Sequence, residues 1–274
     1  MIYIPENLFL RPHHRCALET LAARYQNSPE ILSVVVGGSI ARERARDDSD
    51  VDAILVVTAE EYQRRQKENS LAFCDWEIFK GVADYSGGYL DAKFVDEAFL
   101  RDAAQSGSEP TRNSFVAAFP LFSDLEDLQA LLERIGRYPE ELRQERIESF
   151  WAQLVFLRHY FWGCAERAND HYLKARCVAD VALYAGRMIL AWNRILFPSQ
   201  KGLMQAVAQA PEKPADLIAK MEALLQSPSR EHLDALCQCV EDFADWQIKG
   251  DSYTRFIEDT EIAWRSGKIA LSEC

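Results

Sequence analysis

The sequence predicts an α+β protein: an N-terminal domain on a mixed sheet over residues 1–140, then an all-α bundle over residues 141–274. Three observations carry this expectation. Up to about residue 140, short β-branched apolar runs alternate with segments of helical period, the pattern of strands and helices sharing one sheet. Beyond it, the extended segments repeat their apolar positions every three or four residues, as a bundle requires. With 274 residues, 48% hydrophobic and 27% charged, the chain is long enough and apolar enough to bury two cores.

The elements follow in chain order. "HRCALETLAARYQ" has the spacing of an amphipathic helix, and "ILSVVV", short and β-branched, is a strand that ends on Gly37 and Gly38 in a tight turn. "SIARERAR" gives one or two helical turns with Ser39 as the N-cap, "VDAILVV" is the next strand, and "AEEYQRRQKE" is a polar helix behind it. "LAFCDWEIF" and "YLDAKFV" are strands, the second entered through the turn "YSGG". "DEAFLRDAAQ" is helical, "SFVAAFPLF" a further strand and "DLEDLQALLERI" a helix. The second half holds four helical segments, from "ERIESFWAQLVFLRHYFWGCAERA" to "REHLDALCQCVEDFADWQ", with breaks at "FPSQKG" and "PEKP".

Composition narrows the function. A net charge of −12 repels phosphodiester backbones, which counts against long nucleic acid as a partner and favours a cationic small molecule. The start "MIYIPENLFLRPHHRC" has no basic-then-apolar leader, and no segment reaches membrane-spanning length, so a cytoplasmic protein with no membrane partner is expected. Seven cysteines without a C-x-x-C pair suit a reducing compartment, and Cys237 and Cys239, two apart on a helix, face different ways and are expected in the core.

The chemistry concentrates in "SVVVGGSIARERARDDSDVDAILVV". On a strand Asp50 and Asp52 point the same way about 7 Å apart, where they repel unless a cation lies between them. A Mg²⁺ ion held by one or two carboxylates and by substrate phosphates answers that need. Upstream, Gly37 and Gly38 let the backbone approach a ligand, the amides opening the next helix favour an anion, and the Ser39 hydroxyl adds a donor. Either half alone is ordinary, a turn or a solvated strand end; their joint occurrence between two apolar runs is not.

Gly-Gly-Ser, ten intervening residues and then Asp-Val-Asp resembles the signature of the nucleotidyltransferase superfamily related to DNA polymerase β, in particular its small bacterial aminoglycoside and lincosamide members with a C-terminal helical domain. The resemblance implies a catalytic domain over residues 1–140 and a helical substrate-binding domain over residues 141–274. It also implies transfer of a nucleoside monophosphate from a triphosphate, ATP favoured, to a hydroxyl of a small acceptor, aminoglycoside-like and cationic, with release of pyrophosphate. Asp50, Asp52 and a third carboxylate would hold two Mg²⁺ ions, with Gly37, Gly38, Ser39 and Arg42 on the nucleotide. Asp91 in "GGYLDAKFV" is favoured as that third carboxylate over Asp75, whose surroundings alternate less cleanly. A softer likeness in "MILAWNRILFPSQKGL" puts Asn193, Pro198 and Lys201 on recurrent positions of the helical domain.

Other readings of the same residues stand beside this one. Arg42, Arg44 and Arg46 are otherwise a solvated face balancing Asp47 and Asp48, Lys93 a partner for Asp91, and His13 and His14 surface or helix-start residues. The aromatic residues Trp151, Phe156, Tyr160, Phe161, Trp162, Tyr184 and Trp192 are expected mainly in the bundle core. A base from the helical half would be a glutamate such as Glu166. The alternative function is an antitoxin-like or regulatory module that nucleotidylates or binds a partner protein, disfavoured by the large helical half. An RNA-tailing enzyme is disfavoured by the charge.

Overall fold

The β-branched run at residues 31–36 lies inside a five-stranded sheet, flanked by a strand on either side. The computed structural model describes residues 2–267 and 271, and the chain divides into two units: residues up to Gly107 together with Thr111–Arg137, and Ser108–Pro110 together with everything from Tyr138 onward.

The first unit runs α1 (Pro12–Tyr25), β1 (Ile31–Val36), α2 (Gly38–Ala41), β2 (Val51–Val57), α3 (Ala59–Lys67), β3 (Ala72–Asp75), β4 (Leu90–Val95), α4 (Glu97–Ser106), α5 (Glu109–Ser114, its first two residues grouping with the second unit), β5 (Phe119–Ser123) and α6 (Leu128–Ile135). The sheet order is β3-β4-β2-β1-β5; only β2 and β4 are parallel, so the sheet is mixed. Alternation along β1 sends Val34 and Val36 into one core, shared with Leu18 and Leu21 of α1, and Val35 into the other, shared with Leu100, Leu128 and Leu132. A strand covered on both faces reads as a continuous apolar run, which is how "ILSVVV" reads. Its one polar side chain, Ser33, is satisfied: Oγ donates to Phe122 O at 2.6 Å. The fifth strand begins only at Phe119, and Pro120 is tolerated because β5 ends the strand order.

Helix starts follow the expected chemistry. Thr58 accepts from Glu61 N ahead of α3, whose first turn carries Glu60 and Glu61 and whose last carries Arg64, Arg65 and Lys67; Asp96 accepts from Phe99 N ahead of α4.

The second unit is helical: α7 (Arg143–Phe156), a π-turn over Leu157–Phe161, α8 (Trp162–Ala168), α9 (His171–Trp192), α10 (Leu203–Gln209), α11 (Leu217–Gln226), α12 (Arg230–Glu241) and α13 (Ser252–Thr260). Helix α9 is apolar nearly all round and buries residues from Cys177 to Ala191, as the central member of a bundle must. A buried ion set completes this core: Glu109 Oε1 accepts from Arg146 Nη1 at 2.9 Å and Arg187 Nη2 at 3.0 Å, and Oε2 accepts from Phe197 N at 2.6 Å. The Arg187 guanidinium also faces the rings of Phe150 and Phe197. Of the aromatic residues expected inside, Trp162 and Tyr184 are buried, whereas Tyr160 is exposed and joins a surface group with Phe156, Tyr253 and Phe256. Asn193 caps the end of α9 by bonding Ile189 O and Glu212 O. The six cysteines among the described residues are free thiols, and among those residues no helix is long and apolar enough to cross a membrane.

Candidate active site

Three carboxylates meet at one end of the sheet. Asp52 on β2 lies directly beside Asp91 on β4 in their parallel register, and Asp50 stands one residue before β2. One oxygen from each of Asp50, Asp52 and Asp91 lies within 4.8 Å of the other two, and all three residues are half-buried. Asp75 is not among them: its Oδ1 accepts from Glu77 N at 2.9 Å and Ile78 N at 3.1 Å, closing the turn after β3. Burial, then the charges of Asp50 and Asp91, push the Asp52 carboxyl above its ordinary value, and Lys93 and Arg42 offset this only in part. A set of hard oxygen donors that repel one another fits a divalent cation such as Mg²⁺.

The glycine turn is built against this group. Gly38 has φ +61, and a Cβ there would fall 1.7 Å from Asp52 Oδ2 and 2.8 Å from Asp52 Cβ, so both the conformation and the space require glycine. Gly37 N donates to Asp52 O at 3.0 Å, tying the turn to β2.

The sequence placed Ser39 at the N-cap; the structure places Gly37 there and Ser39 inside the first turn of a four-residue helix. The sharp turn at Gly38 starts the helix two residues earlier, and Ser39 Oγ is buried without a hydrogen-bond partner. A helix this short carries little macrodipole. What remains for an anion is local: the Ser39 hydroxyl and the half-buried Arg42, whose Nε is also buried and unpartnered while Nη2 donates to Asn113 O. Burial, followed by the charge of Arg44, lowers the Arg42 pKa, and the charge of Asp52 opposes this. Arg44 and Arg46, expected on the same helix, lie beyond it and are exposed, and Arg46 pairs with Asp48.

Four residues to which the sequence gave no site role lie at or beside the Ser49–Asp50 segment. The phenol of Tyr89, just before β4, is pushed up to about 12, first by hydrogen bonding with Asp50, then by burial and by the charges of Asp50 and Asp91. The Trp76 ring stacks on Tyr89 with centroids 4.0 Å apart. Tyr85, also raised to about 12 by burial and then by Asp50, donates to Ser49 O at 3.0 Å. His14 proves buried, not superficial: its Nε2 lies 3.2 Å from Ser49 O, and burial and then the His13 charge lower its pKa. Tyr89 shares a strand face with Asp91 two residues on, a spacing that would have found it. Glu166 is exposed on α8 of the second unit.

Residues 17–94 match the family model for the nucleotidyltransferase domain, a span from α1 to β4 that contains the glycine turn and all three aspartates, so this part of the chain carries such a domain. Among solved structures the chain is similar to a nucleotidyltransferase-like protein from Exiguobacterium sibiricum 255-15, with 12% identity and a TM-score of 0.47 over 91% of this chain and 78% of that one. No curated protein matches it.

Proposed function

We propose that the protein transfers a nucleoside monophosphate from a nucleoside triphosphate, ATP in the first instance, to a hydroxyl of a small acceptor in the cytoplasm, releasing pyrophosphate. The observation that carries this reading is the convergence of Asp50, Asp52 and Asp91 within 4.8 Å beside a turn that only glycine can make. Asp50, Asp52 and Asp91 are the ligands for Mg²⁺, two ions in this reading. When bound, the metal supplies Lewis-acid stabilisation of the charge on the entering and leaving oxygens.

The chain's own residues do the rest. Gly37 and Gly38 let the backbone come close to the triphosphate, the unpartnered Ser39 Oγ donates to a phosphate oxygen, and Arg42 neutralises phosphate charge. In the reaction the acceptor oxygen bonds to the α-phosphorus, the bond from that phosphorus to the pyrophosphate oxygen breaks, and the hydroxyl proton leaves to a carboxylate, for which we assign Asp91. The helical unit is assigned to acceptor recognition. The net charge of −12 is consistent with a hydroxylated, cationic acceptor.

Asp52→Asn is the test. It removes a ligand charge with little change in shape, so pyrophosphate release should fall about a hundredfold or more with no loss of melting temperature. Undiminished turnover in that variant would end the proposal, and appearance of the nucleotide on a co-purifying protein would move the assignment to the regulatory class.

A further inference from the structure

The carboxylate face of the sheet is covered at one end and open at the other. Paired residues of a ladder point to the same side, so Asp52, Asp91 and Cys74 form one row across β2, β4 and β3, and Ile54, Lys93 and Ala72 form the row beside it. Val56 and Val95, one row further, lie in the core shared with Leu100. Away from that core the cover ends: Lys93, Ala72 and Cys74 are exposed. Tyr89 and Trp76 make the last row, their ring centroids 4.0 Å apart with 20° between planes. Trp76 is 60% exposed. An isolated exposed apolar residue is ordinary, whereas a two-ring stack in register with the three-carboxylate group is a surface with a direction.

The strand order supplies that direction. The glycine turn follows β1 on one side of β2, where Gly37 N donates to Asp52 O and where Ser39 Oγ and Arg42 Nε are buried without partners. Asp91 and then Cys74 lie on the other side, toward β4 and β3. Transfer at phosphorus is an in-line displacement, in which the entering and leaving oxygens occupy opposite sides of the phosphorus atom. With the pyrophosphate held at the glycine turn, the entering hydroxyl comes from the β4–β3 side, and the body of the acceptor that carries it extends over Cys74 toward Trp76.

We infer that the exposed β3–β4 surface is the acceptor subsite, with Trp76 as its platform, and that its occupant is a hydroxyl-bearing ring whose apolar face lies on the indole. Tyr89 stacks against the other face of the indole and holds its plane, and Cys74 forms the floor between Trp76 and Asp91. A rigid aromatic surface of this kind gives contact area and orientation at little entropic cost, and an amine on the ring adds attraction to the indole face. The inference rests on the transfer reading above and puts part of acceptor recognition in the first unit. Trp76 is there a specificity-determining residue: it fixes how the ring is presented, while the proton still leaves to Asp91.

The experiment follows alkylation of Cys74 by iodoacetamide, read by mass spectrometry on the full chain. The reaction is run alone, with Mg²⁺ and a non-hydrolysable ATP analogue, and with these plus kanamycin or glucose as ring probes. Cys16, half-buried on α1, is the internal reference for general stabilisation. The analogue alone should leave the Cys74 rate unchanged, and at least one ring probe should suppress it while sparing Cys16. Trp76→Ala should raise the protecting concentration of that probe about 3–10-fold, and Trp76→Phe, which keeps a ring, should restore most of the loss, both with native affinity for the analogue by calorimetry. Suppression by the analogue alone would give the surface to the nucleoside and overturn the inference. Suppression by neither ring, or protection undiminished in Trp76→Ala, would overturn it as well. Failure of the native protein to bind the analogue with Mg²⁺ present would overturn the transfer reading and this inference with it, and that failure is read in the calorimeter, not at Cys74. Should Trp76→Ala fold poorly, Trp76→Phe against Trp76→Leu, which keeps apolar bulk without a ring, decides.

Discussion

Replacing Gly38 by alanine would put a methyl carbon 1.7 Å from Asp52 Oδ2, 2.5 Å from Cγ and 2.8 Å from Cβ. Rotating the Asp52 side chain relieves the first two overlaps but not the third, since Cβ moves only with the backbone. Against an ordinary carbon–carbon contact of about 3.5 Å, β2 or the turn must give by about 0.7 Å and the carboxylate by more. The φ of +61 adds the left-handed strain of a residue with a Cβ, about 1–2 kcal/mol. At roughly 2–4 °C for each kcal/mol in a chain of this size, the melting temperature should fall by about 2–8 °C. Function should suffer more than stability, because a displacement of about 1 Å at reacting groups costs on the order of a hundredfold in rate. The assay is pyrophosphate release, with Mn²⁺ affinity as a second readout that needs no acceptor. Gly37→Ala is the control for melting and Mn²⁺ affinity: its Cβ would meet only Ser114 O at 3.0 Å, and its φ of −125 is open to any residue, so these two readouts should change far less. Native turnover and metal affinity in Gly38→Ala would refute the proposed fit between turn and carboxylate.

Ser39→Ala removes a buried hydroxyl without a partner, so melting of the free protein should be unchanged or slightly raised, whereas nucleotide affinity by calorimetry should drop about 2–10-fold, the value of one hydrogen bond. Asp52→Asn removes one of three repelling charges; the metal-free protein should melt higher than native, and Mg²⁺ should stabilise the native protein but not the variant in the same scan. Glu109→Ala removes the buried carboxylate that Arg146 and Arg187 share and should cost about 3–5 kcal/mol in urea denaturation; a cost below about 1 kcal/mol would contradict the role of that ion set.

Much of the sheet was legible because its strands are signalled by composition as well as period: "ILSVVV" and "VDAILVV" leave little room for a helix, and their order around Gly37–Gly38 suggested the site. Asp91 was recoverable as a strand residue from its apolar neighbours, whereas its place beside Asp52 comes from the parallel register of β2 and β4. Of the two readings of His14, surface or helix start, the second holds, and the spacing shows why the first fails: His14, Ala17, Leu18, Leu21 and Ala22 fall at i, i+3, i+4, i+7 and i+8, the buried face of α1. The pairing of Trp76 with Tyr89 was out of reach because it depends on cross-strand register, which no local pattern records. Ser39 was assigned as a cap because capping residues are recognised by type, and the displacement of the helix start by two residues follows from the positive φ of Gly38. The π-turn at Leu157–Phe161 interrupts a run whose helical period continues on both sides, so periodicity gave no sign of it.

The most direct test of the central claim is calorimetric titration of ATP into the native protein and into Asp50→Asn/Asp52→Asn, with Mg²⁺ present and with Mg²⁺ chelated. The expected result is binding that requires Mg²⁺ in the native protein and is lost in the double variant at an intact melting temperature. Equal binding by both proteins, or binding indifferent to chelation, would contradict the assignment of Asp50 and Asp52 as the ligands of the metal that carries the nucleotide.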